Sequence, residues 1–172
     1  MSELLFNELP RPTFRWLRVN HTVSSLAGED TAVQSIAVEA NKDILSPLPV
    51  GTALLDGNYE GANKEAVQVL VEKAEGYAIN IPAKGKEVVG IRIDANARVA
   101  NRFQFIVGEG AELEVQFYVT GAGEALTNVS YLNEYDVKEG GKVVVKKVNL
   151  LPEHVQHIEH RYTKLEDNAD VE

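Results

Sequence analysis

Cysteine is absent from the 172 residues. Disulfides, a cysteine nucleophile, thiolate zinc and cysteine-ligated iron–sulfur clusters are therefore excluded within this chain. Positive charge is scarce: 17 Lys and Arg face 26 Asp and Glu, a formal charge of −9. Nucleic acid and anionic membranes are recognised through positive potential, so neither partner is expected. No apolar run approaches the ~18 residues of a membrane span. The first 14 residues hold Glu3, Glu8 and two prolines where a secretory signal has a basic start and an apolar stretch. The expected location is the cytoplasm, and the sequons at Asn20-His21-Thr22 and Asn128-Val129-Ser130 are expected to be chance matches. No G-x-S-x-G, Walker loop or dinucleotide fingerprint occurs. The expectation is a protein without catalytic, cofactor-binding or metal-binding residues, and not an enzyme.

What is present is globular in proportion: 44% hydrophobic, 25% charged and 7% aromatic residues, enough for a core at this length. The chain divides near residue 85. Residues 1–84 read as a small α/β segment. Leu9-Pro10-Arg11-Pro12 is a stiff, extended opening, because proline fixes its own φ and biases its predecessor away from helix. A strand is expected over Thr31–Glu39, with Val33, Ile36 and Val38. Pro47, Pro49 and Gly51 break the next stretch. The spacing predicts one helix over Asn63–Ala74, capped by Asn63 and terminated by Gly76. Its apolar face is Ala66, Val67, Leu70, Val71 and Ala74. A short strand, Tyr77–Ile81, follows.

Residues 85–172 change period. Val89, Ile91 and Ile93 alternate with polar or small neighbours. So do Phe103, Phe105 and Val107; Leu113, Val115, Phe117 and Val119; and Val129, Tyr131, Asn133, Tyr135 and Val137. Val143 and Val145 continue the step, and Val148 and Leu150 resume it after a slip. These are short strands, each with one buried face. The segments between them share a phrase: Gly or Asn, a small residue, a charged residue, then Val or Leu. It is seen at Asp94–Val99, Gly108–Leu113, Lys138–Val143 and Glu166–Val171. The small residues Ala97, Ala111, Gly141 and Ala169 stand 14, 30 and 28 residues apart. Gly or Asn suits a corner that needs φ > 0, and a small residue lets corners stack. Corners at a fixed period predict a parallel β-helix, or solenoid; hairpins in an antiparallel sandwich are the other solution. An open last coil would invite a cap or a second copy.

Few residues look chemical. His154, His157 and His160 invite a metal reading, since imidazole is a common ligand. On a strand, however, His154 and His160 lie ~20 Å apart on one face, with His157 on the other. Half-buried or surface imidazoles that make the protein mildly pH-sensitive fit better. Glu112, Glu114 and Glu139 imitate the paired carboxylates of a glycosidase, but read as solvated faces. Gly108-Glu109-Gly110 reads only as a corner. Arg11, Arg15 and Arg18 with Phe14 and Trp16 form the one basic aromatic patch, for which an acidic partner competes with a core-anchoring role.

The run Leu9-Pro10-Arg11-Pro12-Thr13-Phe14-Arg15-Trp16-Leu17-Arg18-Val19-Asn20 resembles the opening of SufD-like proteins. The corners Gly110-Ala111-Glu112-Leu113-Glu114-Val115 and Glu139-Gly140-Gly141-Lys142-Val143-Val144-Val145 resemble turns of the SufB/SufD family. So does the strand-then-corner phrase from His154-Val155-Gln156-His157-Ile158-Glu159-His160 to Asn168-Ala169. The likeness covers roughly residues 9–172. It implies a parallel β-helix after an α/β segment, and a role in iron–sulfur cluster assembly beside SufB-like and SufC-like proteins. Family members are longer. The helical region that docks SufC, and the distal β-helix with the family's functional Cys and His, have no counterpart here, so the chain is expected to be a truncated or shortened member. No functional residue transfers. The resemblance thus points to a non-catalytic scaffold. A carbohydrate-active β-helix protein and a structural module that self-associates through its open end are the alternatives.

Overall fold

The computed structural model describes residues 4–6, 22–24, 36–55, 59, 64–96, 98–121 and 127–172. Its elements are β1 (Leu4–Phe6), β2 (Thr22–Ser24), β3 (Ile36–Glu39), β4 (Leu45–Leu48), α1 (Lys64–Lys73), β5 (Gly76–Ile81), β6 (Lys86–Asp94), β7 (Val99–Val107), β8 (Glu112–Thr120), β9 (Thr127–Val137), β10 (Lys142–Leu150), β11 (Val155–Leu165) and β12 (Asp170–Val171). β1 and β2 form their own antiparallel ladder. The rest make two five-stranded sheets, β12-β10-β8-β6-β3 and β11-β9-β7-β5-β4.

From β5 onward the chain alternates between the sheets, and each strand pairs in parallel with the strand two places later. Consecutive strands from β5 to β12 never pair, so they are not hairpins. Residues 76–171 form a β-solenoid of about three turns. β3 and β4 join its first strands antiparallel. Pro47, expected only to break the chain, lies inside β4 opposite Tyr77. It is tolerated because β4 is an edge strand, where a missing N–H costs no ladder bond.

The corners explain the winding. Four-residue corners join β5 to β6, β7 to β8, β9 to β10 and β11 to β12, and their third residues, Lys84, Gly110, Gly140 and Asn168, all have φ near +60°. Each corner donates to the next: Lys84 N to Glu109 O at 2.8 Å, Gly110 N to Glu139 O at 2.9 Å, and Gly140 N to Asp167 O at 3.0 Å. Ala111, Gly141 and Ala169 do stack, as their spacing predicts. Asp94–Val99 does not belong with them. It is the opposite bend, between β6 and β7, and Asn96 is not left-handed; Ala97 lies outside the described residues. The member that the phrase missed is Pro82-Ala83-Lys84-Gly85. A left-handed lysine carries a Cβ penalty of roughly 1–2 kcal/mol that glycine avoids, offset in part by glycine's freer unfolded state. Lys84→Gly is expected to raise stability by about 0.5 kcal/mol, read as a higher urea midpoint; a lower midpoint would deny the strain.

The interior fills with the predicted alternation. Val89, Ile91, Ile93, Phe103, Phe105, Leu113, Val115, Phe117, Val119, Tyr131 and Tyr135 are buried in one cluster. Aromatic rings stack along and across the interior, Phe105 on its ladder neighbour Tyr135 at 4.8 Å and Phe117 of one sheet on Tyr131 of the other at 5.8 Å. The expected slip in β10 does not occur. β10 runs in unbroken register with β8, Lys147 opposite Phe117 and Asn149 opposite Val119. Val148 and Leu150 therefore point outward, 48% and 57% exposed.

The helix expected over Asn63–Ala74 forms over Lys64–Lys73; Val67, Leu70 and Ala74 are buried together with Leu132 of β9, and Ala66 is buried too. The helix lies on the outer face of the second sheet. Asn63, Val33 and residues 7–21 fall outside the described residues, so the expected cap, the start of the first strand, the Arg11, Phe14, Arg15, Trp16 and Arg18 patch and most of the first sequon are not placed. Gly76 is not a left-handed helix stop; it opens β5.

Candidate functional site

Two polar clusters stand out, one on each side of the second sheet. The first lies under α1. β7 and β9 put Arg102, Gln104 and Glu134 on the sheet's outer face, where Thr52, Leu54, Tyr59 and α1 meet them. Arg102 and Glu134 are fully buried, with Nη2 3.7 Å from Oε2. Glu134 Oε1 accepts from Tyr59 Oη at 2.5 Å and Leu54 N at 3.2 Å, and its Oε2 from Gln104 Nε2 at 3.0 Å. Arg102 donates to the carbonyls of Val71, at 3.1 Å, and Thr52. Burial and the Glu134 carboxylate push the Tyr59 hydroxyl well above its ordinary pKa. Burial pulls Arg102 down, against the pull of Glu134. Apart from Arg102 Nε, which has no partner among the described residues, the strong groups here are spent on fastening helix and loop to the sheet.

The second cluster is on the inner face of the last described coil, where Lys147, His157 and Glu159 are half-buried and Asn149 and Arg161 exposed. Where earlier coils carry Phe, Tyr and Val, β10 and β11 point Lys147, Asn149, His157, Glu159 and Arg161 inward. Lys147 Nζ pairs with Glu159 Oε2 and lies over the rings of Phe117 and Tyr131, 5.3 and 5.1 Å from their centroids. Glu159 Oε1 accepts from Asn133 Nδ2 at 2.8 Å. Asn149 Nδ2 donates to His157 Nδ1 at 3.0 Å, which leaves the proton on Nε2, 3.1 Å from Tyr131 Oη.

That geometry answers the histidine reading. His157 faces the interior and has both ring nitrogens engaged. His160 faces outward beneath the covering layer, 8% exposed, with no partner for Nε2 among the described residues. His154 stands in the bend before β11. The three do not converge, and no metal-holding group of three His, Asp or Glu occurs among the described residues. The carboxylates are dispersed too. Glu112 pairs with Lys86 at 2.6 Å, Glu114 with Lys146 at 2.8 Å, and Glu139 sits in a corner. Each of the first two is held below the usual carboxylate range by its lysine. Asn128 of the second sequon is buried and accepts from Arg98 Nε at 3.2 Å, which leaves no space for a glycan.

The chain matches no protein-family model, no curated protein and no solved structure. Among the described residues, no helix is long and apolar enough to cross a membrane.

The sequence hides the two clusters for different reasons: Arg102, Gln104 and Glu134 sit where alternation assigns residues to solvent, and Lys147, His157 and Glu159 sit where it assigns them to the core. The signal was there: Arg102 and Glu134 are charges in β-rich runs about one coil apart, and Lys147 occupies a core position once β10 is read without a slip.

Half-buried His157 and buried His160 set a pH dependence. Burial lowers the pKa of both His157 and His160, and the Lys147 charge adds to it at His157. Below the ordinary value of about 6.5 the unfolded chain binds protons that the folded chain refuses. Stability is therefore full above that value and falls as pH drops toward the depressed folded values. The urea midpoint is expected to be lower at about pH 5.5 than at about pH 7.5, and His157→Gln should flatten that slope. Equal midpoints would show that neither ring is held neutral.

Proposed function

We propose that the chain is a non-catalytic structural β-solenoid module that associates with a second copy through β11. The observation that carries this is the self-complementarity of that strand. β11 is the last strand of its sheet, and its eleven residues centre on His160. Within one chain Glu159 already pairs with Lys147 and, at 3.7 Å, with Arg161; antiparallel pairing about a two-fold axis adds Arg161 of the second copy opposite Glu159, twice. Ile158 then meets Tyr162, and Val155 meets Leu165. Opposite charges and apolar pairs facing each other stabilise a ladder, whereas inward charges in the wrong register repel an incoming strand. A two-fold contact of this kind closes on itself.

Light scattering is expected to show a dimer. Arg161→Glu, at a side chain 43% exposed, sets glutamate against Glu159 and should give a folded monomer. A wild-type monomer, or a dimer indifferent to Arg161→Glu, rejects the pairing.

A second reading is a SufB/SufD-like scaffold for iron–sulfur assembly. What favours it is the order of elements, a helix-bearing segment followed by a parallel solenoid, which is the fold that the sequence resemblance implies. In this reading the chain works by contact with SufB-like and SufC-like proteins. Because the region that docks SufC has no counterpart here, the test is a pull-down with a SufB-like protein: retention supports this reading, and failure to retain one removes it.

A further inference from the structure

Gly90 stands mid-strand in β6, on the outer face of the first sheet, where glycine weakens a strand and packs nothing. The backbone does not require it. Its φ is not left-handed, and a Cβ would meet nothing nearer than Glu39 Cβ at 3.5 Å, an ordinary contact. What the missing side chain creates is a dent of about 340 Å³, rimmed by Glu39, Arg92, Gln116, Tyr118 and Lys146. A mid-strand glycine with room to spare often marks close approach by a ligand.

The rim has a definite chemistry. Tyr118 is 42% exposed, with the Arg92 guanidinium 5.9 Å from its ring centroid. Lys146 and Gln116 are both bonded to Glu114, at 2.8 and 2.6 Å. Glu39 and Arg92, by contrast, have no hydrogen-bond or ion-pair partner among the described residues. One free carboxylate and one free guanidinium thus flank an aromatic ring, with no net charge between them. Planar polar groups of both signs take vicinal hydroxyls, one accepting and one donating, while the ring covers an apolar C–H face. A phosphate or a polyanion would gain Arg92 but meet Glu39.

We propose that the Gly90 dent binds a pyranose unit of a neutral glycan. It lies on the sheet opposite to β11, so it stands or falls separately from the self-association above.

The test is an NMR titration of the full chain with cellohexaose, xylohexaose, mannohexaose and chitohexaose, followed at the backbone amides. At least one is expected to shift Gly90, Arg92, Gln116 and Tyr118 saturably. Gly90→Thr fills the floor with a β-branched side chain. It should keep or raise the urea midpoint and weaken binding at least about tenfold. Tyr118→Ala should weaken it by a similar factor, and Val88→Thr, on the same face outside the dent, should not. No shift with any of the four sugars, shifts confined to other faces, or unchanged binding by a folded Gly90→Thr variant each overturn the proposal.

Discussion

Glu134→Ala is expected to destabilise the protein by about 3–5 kcal/mol, the range for removing one partner of a buried ion pair. The carboxylate is wholly inaccessible and accepts from Tyr59, Leu54 and Gln104 while facing Arg102. Truncation strips three donors of their acceptor and strands a guanidinium in a dry layer. That penalty, more than the attraction of the pair, sets the size of the effect, since a buried pair gains little over a well-packed apolar one. Glu134→Gln should fall between, because an amide oxygen still serves Tyr59 and Leu54 but does not balance Arg102. The damage should be local first. Residues 48–55, Tyr59 and α1 are fastened through Thr52, Leu54, Tyr59 and Val71, so brief proteolysis should cut there before the coil unfolds. Urea denaturation gives the total. A loss below about 1 kcal/mol, the worth of one neutral hydrogen bond, would mean that the helix is held by its apolar face alone.

The solenoid was legible because its two determinants are local. A period of two marks strands with one buried face, and a residue that tolerates φ > 0 marks a corner. Gly110, Gly140 and Asn168 announce themselves in this way; Lys84 does not, because only stacking on Glu109 tells that its backbone is left-handed. The polar clusters were hidden for a related reason. Arg102, Gln104 and Glu134 occupy positions that alternation assigns to solvent, and become interior only when α1, distant in sequence, lies over them. Lys147 and Glu159 occupy positions that alternation assigns to the core, and are tolerated there by each other and by the rings of Phe117 and Tyr131. Apolar residues declare their face singly. Charges in a sheet declare it only in pairs, and here the pairs are set by tertiary register: Glu159 stands opposite Tyr131, one coil away, and twelve residues from Lys147. The dent at Gly90 is equally silent, since a glycine in a strand reads as weakness until its neighbours show that a side chain would fit.

Gly76→Ala should be nearly as damaging as the loss of Glu134, about 3 kcal/mol, the upper part of the range for overpacking a core. Gly76 opens β5 directly opposite Arg102 of β7. A Cβ there would sit 2.1 Å from the Arg102 carbonyl oxygen and 2.9 Å from its Cβ. The first of these is backbone inside a parallel ladder, so no rotamer change relieves it; β5 must move off β7. The consequence reaches the buried cluster, because the carbonyl that would be struck belongs to the residue whose guanidinium holds Val71 and Thr52. Gly90→Ala, in the other sheet, is the matched control: the same chemical change, with its nearest contact at 3.5 Å, should be neutral or stabilising by up to about 1 kcal/mol through the stiffer unfolded chain. Parallel urea titrations of the two variants separate steric exclusion from glycine's general flexibility. Similar midpoints would mean that β5 and β7 are not as closely spaced as the register requires.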